Sequence, residues 1–435
     1  MNSLTVFEYG KVVEANDGLC DHAVPSRVFA WLDSQCRRID DDAPIWLKHS
    51  KFQGQRAVQF ANYVGVLRAP CGFQIEVLPK VGEELDDKRA RQLLIDMLRC
   101  LNGFRHIKTD SAKLASTRMP LFEVFIKEFL QAVEHVVKRG VRSDYVARQD
   151  NLFALRGKLL IAHQIRQNLH RADRFFTEHD EFSPNRPENR LLHTALRQVL
   201  SAFVSQDNQR LARELCFVFS DIPESVQIAQ DFQRVRLDRG MDYYADALAW
   251  ARLILEEQSP LTGSGTHLAP SLLFPMEALF EAYVAKHLSK QLAPPFTLKT
   301  QARSHYLVRH LMQDWFQLRP DVLICNGNSN LLVLDTKWKL LDVSKDNGRD
   351  KYGLSQGDFY QLYAYGQHYL HGRGDLVLVY PKTDAFPGPR PVFDFPKSEG
   401  LRLWVLPFCL ETRRLLLPSS GQLDTMFLSQ GSIGQ

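Results

Sequence analysis

Two aspartates and a lysine stand at a spacing that suits metal-assisted phosphodiester hydrolysis. Arg319-Pro320-Asp321 opens one expected strand, and fourteen positions after Asp321 the next strand carries Asp335-Thr336-Lys337. Side chains alternate across a strand, so Asp335 and Lys337 project from the same face, and a hairpin brings Asp321 alongside them. Carboxylates suit Mg²⁺, which binds one or two of them and keeps waters or phosphate oxygens as its other ligands. The ion polarises a phosphoryl oxygen and lowers the pKa of a bound water. Lys337 can orient that water or neutralise the pentacovalent oxyanion. The D-x-K tripeptide carries little information by itself, since Asp86-Asp87-Lys88 repeats it in a charged stretch. Context separates the two. Asp335 follows the apolar run Leu331-Leu332-Val333-Leu334 on an expected central strand, where an isolated carboxylate is costly to bury.

Two pairs at helical spacing join this set. Gln361 and Tyr365 lie four apart on the segment after Lys337, and Glu277 and Glu281 lie four apart on the segment before the strands. Gln361, Tyr365 and Glu281 are the supporting candidates.

The elements that must position these residues are expected in the order helix, three strands, helix, strand. FPMEALFEAYVAKHLSKQL has helical period, SHYLVRH, WFQLRPDVLI and NLLVLDTKWKLL read as strands, LSQGDFYQLYAYGQHYL is a helix, and DLVLVYPK is a buried strand. This α/β unit, 272–435, is preceded by a Ser/Thr/Gly/Pro-rich linker at 259–271 and by a region 1–258. That region reads as β-rich to about residue 81, and as helical beyond it, through LFEVFIKEFLQAVEHVVKRG, RGKLLIAHQIRQNL, RPENRLLHTALRQVLSAFVS and DYYADALAWARLILEEQ.

With 435 residues, 45% hydrophobic and 24% charged, the chain is long enough for two or three domains and excludes compositional disorder. A net charge of +4 permits an anionic partner without demanding one. Seven scattered cysteines with no C-x-x-C pair argue against a disulfide framework or a zinc site, and His163, His179 and His193 lack ligand spacing. There is no G-x-S-x-G elbow and no G-x-x-x-x-G-K-[ST] phosphate loop. No secretory leader and no apolar run near the ~18 residues of a membrane span are visible, so a cytoplasmic protein without a membrane partner is expected. The basic residues Lys138, Arg139, Arg142, Arg166, Arg171 and Arg174, with Phe175 and Phe176, read as a solvated helix face with core aromatics more than as a phosphate or partner contact.

Pro320-Asp321 followed by Asp335-x-Lys337, in that order of elements, resembles the PD-D/E-x-K superfamily of restriction-endonuclease-like nucleases. Gln361-x-x-x-Tyr365 resembles the Q-x-x-x-Y element of its RecB-like branch. The wording of LRPDVLI, LLVLDTKWK, FYQLYAYGQ and FPMEALFEAYVAKHL, and upstream of YVGVLRAP, IEVLPK and DEFSPNRPENRLL, looks like the McrC family. That family is the nuclease subunit of McrBC-type 5-methylcytosine-dependent restriction systems. The resemblance covers all but the tail after about Leu417. It implies a restriction-endonuclease-like fold and a Mg²⁺-dependent endodeoxyribonuclease, with Asp321, Asp335 and Lys337 catalytic and Asp321 and Asp335 holding the metal. It also implies a separate McrB-like AAA+ GTPase that reads the methylated base in double-stranded DNA and is stimulated by this subunit in phage defence. The missing phosphate loop agrees with GTP being used by the partner and no nucleotide being bound by this chain. Region 1–258 is then the partner-docking region by elimination. Two other readings stay open: a mainly GTPase-activating assembly subunit, and a stand-alone DNA repair nuclease.

Overall fold

The computed structural model describes residues 3–15, 22–36, 46–81, 87–101, 121–201, 205–255, 272–418 and 422–427. The expected linker, 259–271, lies outside them.

The candidate residues sit on a seven-stranded sheet. Its order is Phe296–Thr300, Val322–Asn326, Ser329–Thr336, Gly374–Pro381, Leu401–Cys409 and Phe393–Asp394, with Arg414–Leu415 also paired to Leu401–Cys409. The first three are antiparallel, and Ser329–Thr336, Gly374–Pro381 and Leu401–Cys409 run parallel. Parallel neighbours need a crossover, and the helix Gln356–Tyr369 supplies the first. Alternation divides the strand residues between two cores. Val322, Ile324, Leu332, Leu334, Val377 and Val379 pack with Leu279 and Phe280 of the helix Met276–Leu288. Leu323, Cys325, Val333, Leu376 and Leu378 face Leu362, Tyr365 and Tyr369 of the other helix. With a helix on each face, Gly374–Pro381 is buried almost throughout, as its continuous apolar run requires. Gly366 fixes how closely the second helix lies: a Cβ there would fall 2.6 Å from Leu401 Cδ2.

The expected order of helix, three strands, helix and strand is present, but its first strand is Phe296–Thr300. His305–His310 instead pairs only with Gln313–Leu318, in a separate two-stranded sheet. Period-two patterning marks a strand without stating which sheet it joins. WFQLRPDVLI is also two strands rather than one, because Pro320 has no N–H to give a ladder.

The N-terminal region to Leu78 forms two four-stranded sheets. One runs Ser3–Phe7, Gln74–Leu78, Tyr63–Arg68, Leu272–Pro275, so a strand that follows the expected linker completes a sheet begun before it. Gly65 makes this pairing possible: its φ is +133°, and a Cβ would lie 2.0 Å from the Leu272 carbonyl oxygen. The second sheet carries Lys11–Glu14, Ala23–Val24, Gln55–Phe60 and Leu47–Phe52 against the helix Ser26–Cys36. Helices Asp87–Leu98, Leu121–Arg139, Pro187–Ser201, Gln206–Val218 and Ala245–Leu255 follow, with Pro187 at a first helical position that needs no N–H donor.

Within this helical stretch the structure differs from expectation. RGKLLIAHQIRQNL is helical only over Ile161–Asn168, and Asp144–Leu152, Lys158–Leu159 and Phe175–Ser183 form a three-stranded sheet. The strands DYVARQDNL and FFTEHDEFS are largely polar and exposed, so no apolar alternation announces them. Beyond Leu417, Leu423 and Phe427 are buried, and Phe427 bridges to Leu292. No helix among the described residues is long and apolar enough to cross a membrane.

Candidate active site

Asp321 immediately precedes Val322–Asn326, and Asp335 and Thr336 end the neighbouring strand, where Val322 stands opposite Leu334. The Asp321 carboxylate is fixed at one oxygen, Oδ2, which accepts 2.7 Å hydrogen bonds from both the Thr336 N–H and the Thr336 hydroxyl. Asp335 is 1% exposed. Its Oδ2 lies 2.6 Å from Lys337 Nζ as an ion pair, yet no donor meets that buried oxygen in hydrogen-bonding geometry. Lys337 has left the strand, but its N–H still donates to the Val379 carbonyl at 2.9 Å. This extension of the ladder keeps Asp335 and Lys337 on one side.

The second helix completes the arrangement. Lys337 Nζ donates to Gln361 Oε1 at 3.1 Å, Gln361 Nε2 donates to the Tyr365 hydroxyl at 2.7 Å, and that hydroxyl donates to the Arg319 carbonyl at 3.0 Å. The circuit runs from the lysine through one helical turn to the residue two positions before Asp321. Glu281, on the first helix, accepts a hydrogen bond from Gln301 Nε2, while the Gln301 N–H donates to the Asp321 carbonyl at 3.0 Å. Glu277, four residues earlier, points elsewhere and bonds Asn62 of the N-terminal region.

Burial sets the electrostatics. It pushes the Asp335 carboxyl up to about 7, with the nearby Asp321 charge adding to the effect and Lys337 opposing it. Burial likewise raises Asp321, against the Thr336 hydrogen bonds, and raises Glu281, with the Asp321 charge adding to it. Burial works against the Lys337 ammonium, but Asp335, Asp358 and Asp321 together outweigh it and hold the lysine above its ordinary value. Tyr365 is pushed to about 12 by burial.

The site therefore concentrates more negative charge than its lysine balances. Among the described residues no group of three or more His, Cys, Asp or Glu side chains is placed to hold a metal ion. The donor set is the pair Asp321 and Asp335. Two carboxylates, one with an orphaned buried oxygen, fit a hard cation that binds through one or two carboxylates and keeps waters or phosphate oxygens.

Two features were not visible as site residues. Asp358 lies 4.0 Å from Lys337 Nζ and 3.4 Å from Lys339 Nζ, and the Tyr380 hydroxyl donates to it at 3.4 Å. Its position three residues before Gln361 on the same helix was the available signal. The other is a buried link behind Lys337. The Trp338 indole N–H donates to Glu8 Oε2 at 2.8 Å, and Lys80 Nζ donates to the Trp338 carbonyl at 3.3 Å. No local pattern reports a contact between residues 8 and 338. Of the three histidines, His163 stacks on Phe176 and His193 Nδ1 is 2.7 Å from the Ile222 carbonyl oxygen, both structural roles.

The family model described as McrBC 5-methylcytosine restriction system component matches residues 58–381. The chain belongs to this family. The McrBC match spans the site from Glu281 to Tyr365. A search of curated proteins gives no match. Among solved structures, the chain is similar to one in the refined half-complex from the tetradecameric assembly of Thermococcus gammatolerans McrB AAA+ hexamers with bound McrC. The TM-score is 0.62 at 21% identity, covering 94% of both chains, which shows a shared McrC-type fold over nearly the whole length. A second similarity, to the cryo-EM structure of the Thermococcus gammatolerans McrBC complex, has a TM-score of 0.47 at 21% identity, covering 66% of this chain and 87% of that one.

Proposed function

We propose that this McrBC-family chain is the Mg²⁺-dependent endodeoxyribonuclease subunit of a methylcytosine-dependent restriction complex, with a PD-D/E-x-K site built on Asp321, Asp335 and Lys337. The observation that carries this reading is the convergence of two buried carboxylates and one lysine at adjacent strand ends, with Asp335 Oδ2 lacking a directed donor. Mg²⁺ held by Asp321 and Asp335 supplies Lewis-acid polarisation of the phosphate and a more acidic bound water.

The chain's own residues do the rest. Thr336 fixes the orientation of Asp321 through two hydrogen bonds, so that carboxylate does not swing as charge enters the site. Lys337, shared between Asp335 and Gln361, presents a fixed ammonium to the charge that builds on the phosphate oxygens. Gln361 and Tyr365 are positioning residues, because they reach the reaction through Lys337 and the Arg319 carbonyl. Asp358, 4.0 Å from Lys337, helps keep the lysine protonated.

The division of labour with a separate AAA+ GTPase is supported by family membership, by the similar fold in a complex of McrB hexamers with McrC, and by the missing phosphate loop. The three-stranded sheet of 144–183 and its helix offer the docking surface: Tyr145, Phe153, Ile161, Ile165, Leu169 and Phe182 are all more than half exposed. The test is cleavage of methylated plasmid with Mg²⁺ and GTP, by this chain alone and with its AAA+ partner. Cutting only with the partner is expected. Cutting by the chain alone, indifferent to GTP, contradicts the complex and indicates a stand-alone nuclease.

A further inference from the structure

The hairpin His305–His310/Gln313–Leu318 stands between the edge strand Phe296–Thr300 and Asp321, and belongs to no larger sheet. A two-stranded ribbon is marginally stable in water unless something covers it. This one exposes Tyr306, Val308 and Trp315 along its length, and Leu311 and Met312 are 84% and 90% exposed at its tip.

Its two faces differ in chemistry. The register pairs Tyr306 with Gln317, Val308 with Trp315 and His310 with Gln313, so three aromatic rings and two amides share one face. The His310 and Trp315 rings lie 5.0 Å apart, and Gln317 Nε2 donates to the Tyr306 hydroxyl at 3.3 Å. No carboxylate lies on that face. The ribbon's one acid, Asp314, is on the opposite face and ion-pairs with Arg309 at 2.7 Å. At the root, Arg319 Nε donates to Gln317 Oε1 at 2.8 Å, which continues the polar track to the residue beside Pro320-Asp321.

The ribbon is also tied to the helix that carries Gln361 and Tyr365. The Tyr369 hydroxyl lies 3.1 Å from the Ala302 carbonyl oxygen and 3.0 Å from the Leu318 carbonyl oxygen, so both legs are held at one point. A partner lying on the ribbon is thereby held in register with the Asp321–Asp335 site.

We propose that residues 303–319 form a duplex-DNA contact element, with Tyr306, His310 and Trp315 against sugars and bases, the Leu311-Met312 tip in a groove, and Arg303 and Arg319 on phosphates. Charge complementarity selects this occupant. A polyanion meets a face without carboxylates and with arginines at its root, and a two-stranded ribbon has the dimensions of a DNA groove. Aromatic side chains stack on bases whatever the sequence, which suits an element beside a cutting centre. This deepens the nuclease reading and rests on it.

The test uses the full chain, without divalent metal, on a short bromodeoxyuridine-substituted duplex. Irradiation is expected to cross-link peptides within 303–319, and Trp315→Ala is expected to weaken binding by about tenfold, the scale of one lost stacking contact. Leu311→Asn with Met312→Gly, which keeps a favourable two-residue turn, is a second variant that preserves the hairpin and is expected to lose the tip's cross-links. Cross-links elsewhere with unchanged affinity in both variants overturn the proposal. So does normal DNA binding with failed assembly on the AAA+ partner or on a second copy, which makes the ribbon a protein contact. Asp335→Ala protein separates the two readings: wild-type cutting by that variant, with ribbon cross-links intact, removes the nuclease assignment and leaves the DNA contact standing.

Discussion

Replacing Glu8 with Gln should change how stability depends on pH. Glu8 is 2% exposed, its Oε2 accepts the Trp338 indole N–H at 2.8 Å, and its Oε1 is buried without a donor. Burial raises its carboxyl from 4.5 to about 7, although Lys80 and the Trp338 hydrogen bond pull the other way. The sign follows from proton binding. Between pH 4.5 and 7 the native state holds a proton that the unfolded state has lost, so the favourable contribution present below pH 4.5 disappears as pH rises through 7. That gap, at roughly 1.4 kcal/mol per pH unit, is worth about 3 kcal/mol. Gln resembles the protonated form and still accepts from Trp338, so the variant should match wild type near pH 4.5 and exceed it by about 3 kcal/mol at pH 8. Thermal unfolding midpoints of both proteins at intervals from pH 4.5 to 8 read this directly. Parallel profiles, or a Gln variant less stable than wild type at pH 8, refute the reasoning and mean that Glu8 is charged and compensated across the range.

Two further outcomes follow from single contacts. Gln361→Ala removes the oxygen that accepts from Lys337 Nζ and should lower kcat for plasmid cleavage about tenfold with little change in KM, measured in the complete complex. Gly65→Ala places a Cβ 2.0 Å from the Leu272 carbonyl oxygen at a φ of +133°, so denaturant titration should show a loss of at least about 2 kcal/mol.

The candidate site was largely legible because its residues cluster in sequence on three consecutive elements. Asp321 and Asp335 lie on neighbouring strands, and Gln361 and Tyr365 share a helical face, so alternation and four-residue spacing bring them together. Glu281 reaches the site's edge through Gln301, on a segment that carried no chemical pattern of its own. The Trp338–Glu8–Lys80 link was not legible, since it depends on packing between distant parts of the chain. The same limit explains the sheets. Leu272–Pro275 reads as the start of a helix beyond the linker, yet it completes the sheet of Ser3–Phe7, and only the close approach at Gly65 betrays why. The strands Asp144–Leu152 and Phe175–Ser183 escaped because their exposed faces leave no apolar period to read.

The central claim is that Asp335 belongs to a nuclease centre, and Asp335→Ala in the complete complex tests it most directly. Cleavage of methylated plasmid with Mg²⁺ and GTP should be abolished, while stimulation of the partner's GTP hydrolysis, which reports folding and docking, should persist. Cleavage at the wild-type rate in that variant would contradict the account and place the chemistry elsewhere.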